Sequence, residues 1–207
     1  MITLLAIKLI RFIVPRVEAE ARKNSELNLL TLDFSYRRST GHHHAINKII
    51  SDAAKSRKLN AGVFASRYLD HNLISSDIRP TFRAGVYLMA NDGCALQKKW
   101  NRIIRTTSLD LLMAGIDRLS HDTVIFMHTT TAAHVYAVAS ILQRLNLKCR
   151  MEVYLMFPPD FDVSPGIVDV QKRQYLSAYQ LVKEHNASSR FWCENPALAR
   201  AYRDIGL

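Results

Sequence analysis

The chain has 207 residues, of which 48% are hydrophobic and 22% charged. This is the composition of a globular protein with a buried core, which excludes intrinsic disorder. The chain has 28 Lys and Arg against 18 Asp and Glu, and this positive balance favours anionic partners such as nucleic acid, phosphorylated substrates or an acidic membrane surface. The three cysteines are widely spaced, which argues against a disulfide framework or a zinc ribbon.

The N-terminal segment contains the only long apolar run, MITLLAIKLIRFIV. It is shorter than the roughly 20 residues that span a bilayer, and Lys8 and Arg11 interrupt it, as they would the core of a signal peptide. Because these two charges share one face of a helical wheel, residues 1–27 are predicted to form an amphipathic helix. Two interpretations stay open: a helix on the inner face of the membrane of a cytoplasmic protein, or one packed on this or another domain.

Short apolar runs and helical periodicity alternate along the rest of the chain. The predicted elements are strands at 29–36, 61–66, 123–128, 150–157 and 189–194, helices at 44–57, 92–119, 131–145, 169–185 and 196–204, and a brief extended piece, IRPTF, within the irregular stretch 67–91. Asp92 is a candidate N-cap of the second helix. Alternating strands and helices with mostly continuous apolar strands indicate a doubly wound α/β domain with a mostly parallel, Rossmann-like sheet.

Ligands of such sheets bind beyond the carboxyl ends of the strands. The stretches SYRRSTGHHH, MHTTTAAH and FPPDFDVSPG follow three of the predicted strands. We therefore expect the turn at Gly41 and the strand end at His128 to face a common cleft.

Three consecutive histidines, His42, His43 and His44, follow Gly41. Consecutive helical residues point about 100° apart, so the three cannot all aim at one ion, and we expect no metal there. One interpretation places one or two imidazoles at the positive end of the helix, where they could donate to a phosphate or accept a hydroxyl proton. The other is that the histidines only fill the turn.

Further candidate residues follow the same two strands. His128 ends the central strand and is either a site residue or a core residue. Thr129 and Thr130 could hold sugar or phosphate oxygens or cap the next helix. Arg37 and Arg38 lie close to Gly41 and are either phosphate contacts or solvated loop residues.

A basic stripe is predicted on the second helix, where Lys98, Arg102 and Arg105 recur at helical spacing within QKKWNRIIR. It would suit anionic lipid or nucleic acid, or be an ordinary solvated face. The chain lacks the dinucleotide, P-loop and hydrolase-elbow motifs, and it has no aromatic nucleic-acid motif, which disfavours nucleic acid as a partner.

Three stretches of the chain resemble the N-terminal, acceptor-side domain of GT-B-fold glycosyltransferases. They are LDFSYRRSTGHHHAINKIISDAAKSRKLNAGVFAS, DTVIFMHTTTAAHVYAVASILQRL and RFWCENPALARAYRDIGL. The resemblance covers residues 28–207. It departs from the family in having the single glycine Gly41 where two glycines often stand.

The resemblance implies a domain that binds a sugar or lipid-linked acceptor and needs no cofactor. His128 or His43 would act on the acceptor hydroxyl, while Arg37, Arg38 and Gly41 would contact phosphate. The nucleotide-sugar donor would be bound by a C-terminal domain absent from this chain, without which we expect no activity. Two alternatives are a non-catalytic α/β module that binds anionic membrane or nucleic acid, and a free-standing Rossmann-like enzyme of other chemistry.

Overall fold

A computed structural model of the protein describes residues 27–86, 93–160 and 165–206. The predicted helix within residues 1–27 and the predicted cap Asp92 lie outside these ranges. None of the helices in the described ranges is both long and apolar enough to cross a membrane.

The described chain contains six strands, five α-helices and three short 3₁₀-helices. In chain order they are β1 (Leu29–Leu32), α1 (Gly41–Ser56), β2 (Ala61–Ser66), a 3₁₀-helix (His71–Leu73), β3 (Ile78–Phe82), α2 (Gly93–Met113), a 3₁₀-helix (Ile116–Arg118), β4 (Val124–His128), α3 (Ala132–Arg144), β5 (Arg150–Leu155), a 3₁₀-helix (Pro165–Ile167), α4 (Val168–His185), β6 (Arg190–Cys193) and α5 (Pro196–Arg203).

All six strands are parallel and belong to one sheet of order β3-β2-β1-β4-β5-β6. The chain builds outward from β1 to β3 and then returns, so that β4 pairs with the opposite side of β1, Leu29 lying opposite Val124. The prediction of a doubly wound α/β fold is confirmed. The strand order reverses between β1 and β4, which is where open parallel sheets form a ligand crevice.

The sheet is covered by helices on both faces. Successive strand residues point to opposite faces, so Leu30 and Leu32 join a core with residues of α3 and α4, while Leu29 packs with Ile46 and Ile50 of α1. All four β1 residues are buried. This burial on both faces is why the strand reads as a continuous apolar run.

Several element boundaries differ from the predicted ones. β1 ends at Leu32 rather than at residue 36, because Asp33 turns the chain by accepting a hydrogen bond from the Ser35 backbone N–H over 3.2 Å. α2 ends at Met113 rather than at residue 119, and Gly115, with φ at 80°, supplies the left-handed residue that follows the helix end. Pro80 is tolerated in β3 because β3 is an edge strand.

Candidate functional site

Three elements meet at the switch point between β1 and β4. Asp33 directly follows β1, His128 is the last residue of β4, and α1 begins beside them with the three histidines in its first turn. The predicted first residue of this helix, residue 44, is wrong, because α1 begins at Gly41 and includes the histidines expected in a preceding turn. β1 and β4 are neighbouring strands, and the common cleft expected between the Gly41 turn and His128 stays a prediction.

The centre of this neighbourhood is the Asp33 carboxylate, which is fully buried. His43 Nδ1 donates to its Oδ1 over 2.7 Å, and His128 Nε2 lies 3.1 Å from its Oδ2. Asn47 Nδ2 donates to Oδ2 over 2.6 Å. With the bond from Ser35, both carboxylate oxygens accept hydrogen bonds, as a buried charge requires.

These contacts keep Asp33 ionised. Burial by itself would raise the pKa of Asp33, but the nearby His128 and His43, through their charge and their hydrogen bonds, hold the pKa well below its ordinary value of 3.8. The protein thus keeps a buried negative charge at the switch point between β1 and β4, paired with two imidazoles.

The two imidazoles differ in access. The His43 side chain is 12% exposed, whereas that of His128 is 0% exposed. Because His43 uses its Nδ1–H on Asp33, the neutral ring carries its lone pair on Nε2. A carboxylate that fixes the tautomer of a partly accessible histidine is the arrangement of a general base and its orienting group.

The remaining histidines of the run have separate surroundings. The His42 ring lies 4.1 Å from that of His43. Burial, then the charges of His43 and His128, lower the pKa of His42, with Asp33 opposing them. His44 Nδ1 lies 2.9 Å from the Tyr36 hydroxyl. The three consecutive side chains therefore have different partners: His42 packs against His43, His43 donates to Asp33, and His44 contacts Tyr36.

The two arginines of the β1–α1 loop lie outside this network. Arg37 and Arg38 are both exposed, and the Arg37 guanidinium lies 5.3 Å from the centre of the Tyr68 ring. Gly41 is exposed as well, with φ at 81°. Arg37, Arg38 and Gly41 are therefore exposed residues at the rim of the candidate site, outside the hydrogen-bonded network of Asp33.

The two threonines after β4 face different surroundings although they are adjacent in the chain. Thr129 has φ at 51°; its Oγ1 lies 3.2 Å from His128 Nδ1 and donates to the Met156 sulfur over 2.9 Å. Thr130 instead lines a cavity between α2, α3 and α4.

Within the described part of the chain, Asp33, His43 and His128 also form the one group of three side chains that could hold a metal ion, since their ligand atoms lie within 4.8 Å of one another. In the geometry observed, however, His43 and His128 lie at hydrogen-bond distance from the carboxylate. A metal would have to replace these N–H bonds, because its nitrogen ligands must be deprotonated. The arrangement fits a hydrogen-bonded network better.

Sequence reasoning missed two members of the network, Asp33 and Asn47. A signal for Asp33 was available, since it is a lone carboxylate at the end of the apolar run LLTL. For Asn47 the available signal was its position one helical turn after His43, which places both side chains on one face of α1.

Comparisons of the chain with protein-family models, with curated proteins and with solved structures found no match.

Proposed function

We propose that this chain is the acceptor-side domain of a GT-B-type glycosyltransferase, in which His43 takes the proton from the acceptor hydroxyl. The observation that carries the proposal is the 2.7 Å hydrogen bond from His43 to a buried, ionised Asp33 at the β1/β4 switch point. The resemblance of the sequence to such domains supports the class of reaction.

The chemistry assigns each group a role. As the acceptor oxygen attacks the anomeric carbon of a nucleotide-sugar, its proton passes to His43 Nε2. The bond from that carbon to the phosphate oxygen breaks, and the nucleoside diphosphate leaves with the electron pair. Asp33 stabilises the resulting imidazolium because its charge is already in place. His128, fully buried, acts as a positioning residue by holding the second carboxylate oxygen.

The experiment combines the chain with a donor-binding domain. Released nucleoside diphosphate is measured over a panel of nucleotide-sugars and of sugar and glycolipid acceptors. We expect His43→Ala to lower kcat by about 10²–10⁴-fold, the usual contribution of a general base. Asp33→Asn should lower kcat too, because it removes the carboxylate that orients the His43 ring.

His71→Ala is the matched control, since His71 is an exposed histidine on the 3₁₀-helix after β2. It should leave kcat unchanged. Wild-type kcat in a folded His43→Ala protein would rule out the proposed base, and absence of transfer over the whole panel would rule out the reaction class.

A second candidate function is binding to an anionic membrane surface. Three basic residues, Lys98, Arg102 and Arg105, are exposed on α2 at spacings of four and three residues. Exposed apolar side chains follow them at the same spacings toward the end of the helix. Leu109 and Leu112 are 45% and 43% exposed, and Met113 is 82% exposed. Basic residues beside exposed apolar ones favour a lipid surface over nucleic acid.

A further inference from the structure

A second polar feature lies on the other side of the β4–α3 turn, in the cavity between α2, α3 and α4. The cavity has a volume of about 40 Å³, room for roughly three water molecules, and so it suits a small ion or a single chemical group rather than a sugar ring. Among the described residues that line it, none is acidic, and Lys99 supplies a positive charge.

Two buried side-chain atoms in this cavity have no hydrogen-bond partner among the described residues. Thr130 is 8% exposed, and its Oγ1 is buried and unpaired. Gln174 of α4 has a buried, unpaired Nε2. Each unpaired buried group costs on the order of 1–3 kcal/mol, so a cavity that collects two of them indicates a ligand that pairs with both.

The start of α3 adds backbone donors. The N–H groups of Ala132 and Ala133, which line the same cavity, have no acceptor inside the helix. Their cap residue, Thr131, makes no cap hydrogen bond, because its hydroxyl lies 2.8 Å from His134 Nδ1.

The Thr131 hydroxyl is engaged by His134. Its Nε2 donates to the Ala84 carbonyl over 3.3 Å, and burial lowers its pKa to about 3, with the Ala84 hydrogen bond opposing and Lys99 adding to the effect. The ring is therefore neutral at physiological pH, and its Nδ1 accepts the Thr131 hydrogen. The side chain of Thr131 therefore does not cap the start of α3.

We propose that this cavity binds a phosphate group, either the free ion or the phosphate of a small monoester. The Thr130 hydroxyl, the Gln174 amide and the N–H groups of Ala132 and Ala133 would donate to its oxygens, while Lys99 balances its charge. A helix N-terminus with convergent donors and a cation is suited to a dianion with several oxygens. The site is separate from the Asp33 network and does not require sugar transfer.

The test titrates the full chain with inorganic phosphate and, in a second arm, with glycerol 3-phosphate, by calorimetry and by thermal unfolding. Sodium chloride of equal ionic strength is the reference. We expect saturable binding and a rise in Tm, since a ligand that binds only the folded state stabilises it. Tighter binding of one probe shows whether the site takes the free ion or a monoester.

Variants separate the site from general attraction to a basic protein. Thr130→Val and Lys99→Gln should each weaken binding by about tenfold or more, the effect of losing one bond to a charged group. Lys55→Gln, at an exposed position on α1, and Thr81→Val on β3 should leave binding within about twofold. Thr130→Val should also raise Tm in chloride, because it removes a buried unpaired hydroxyl.

Three results would overturn the proposal: no saturable binding of either probe, wild-type binding by Thr130→Val, or equal weakening by Lys55→Gln and Lys99→Gln. Because no donor or acceptor sugar enters the measurement, its failure leaves the assay of sugar transfer unaffected.

Discussion

Asp33 stays charged inside the protein because its partners replace the water that it loses. It is fully buried, yet His43, His128, Asn47 and the Ser35 backbone all donate to it or lie within donating distance. Burial of a carboxylate without such partners would raise its pKa, whereas here the two imidazoles lower it. One residue thus links the position of the candidate base to the stability of the fold.

Asp33→Asn should destabilise the protein by about 3–5 kcal/mol at pH 7, the usual result of removing one partner from a buried ion pair. The pKa of Asp33 is lower in the folded than in the unfolded chain. Its contribution is therefore complete above about pH 4 and declines as the pH falls toward the folded-state value. Urea unfolding from pH 7 to pH 3 should show the difference between wild type and variant shrinking below pH 4.

Asp52→Asn is the control for that measurement. Asp52 is 59% exposed and pairs with Lys48 within α1 over 2.8 Å, so its loss should cost less than about 1 kcal/mol. A difference between wild type and Asp33→Asn that is small at pH 7, or that grows as the pH falls, would contradict the account of Asp33.

Helix α1 is the element that turns a histidine run into a site. Its first residue, Gly41, has φ at 81°, and this left-handed conformation redirects the chain so that the histidines occupy the first helical turn. His43 and Asn47, one turn apart, then reach the same carboxylate. Helical periodicity predicted this helix, but it could not place the start, because glycine and histidine carry little periodic signal.

Gly41→Ala should destabilise the protein by about 1–2 kcal/mol, the cost of a left-handed conformation for a residue with a Cβ. Beyond its chain neighbours and the backbone of its own helix, no atom of the described residues lies within 4 Å of the position that the Cβ would take, so strain in the backbone is the whole expected effect. Chemical denaturation measures it.

Gly166→Ala provides the comparison. An added Cβ at Gly166 would likewise meet, beyond the chain neighbours, no atom of the described part of the chain within 4 Å, but the φ of Gly166 is not positive, so the change should stay within about 0.5 kcal/mol. Equal effects of the two substitutions would show that Gly41 is not constrained by its backbone conformation.

Over the whole molecule, the formal net charge of +10 makes attraction to anions a general property, and the arrangement of side chains decides which anion is bound. The basic and apolar residues of α2 share one exposed stripe, and the proposed binding to lipid depends on that stripe. The proposed phosphate cavity is lined by other residues of α2, among them Lys99.

Replacing Lys98, Arg102 and Arg105 together by Gln should weaken binding to vesicles of anionic phospholipid by about 100-fold, since each basic residue near such a surface contributes about 1 kcal/mol. Co-sedimentation at two salt concentrations measures this, and wild-type binding should fall as salt rises. Vesicles of zwitterionic lipid should bind weakly.

The matched control replaces Arg144, Arg173 and Arg200 by Gln, which removes the same charge from exposed positions on α3, α4 and α5. Equal weakening by the two triple variants would show that net charge alone attracts the protein. Binding that neither variant alters would exclude the α2 stripe.

The sequence by itself determined the order and type of most elements and the parallel sheet, because apolar periodicity is local and a strand buried on both faces must be apolar throughout. It also identified His43 and His128 as candidates, since His43 lies in the turn after a predicted strand and His128 ends another. Only the tertiary structure decided that Asp33 joins them, that Thr129 and Thr130 face different surroundings, and that Arg37 and Arg38 stay at the rim. These outcomes depend on contacts between residues distant in the chain, such as Asn47 and His128, 81 positions apart, and local pattern carries no information about such distances.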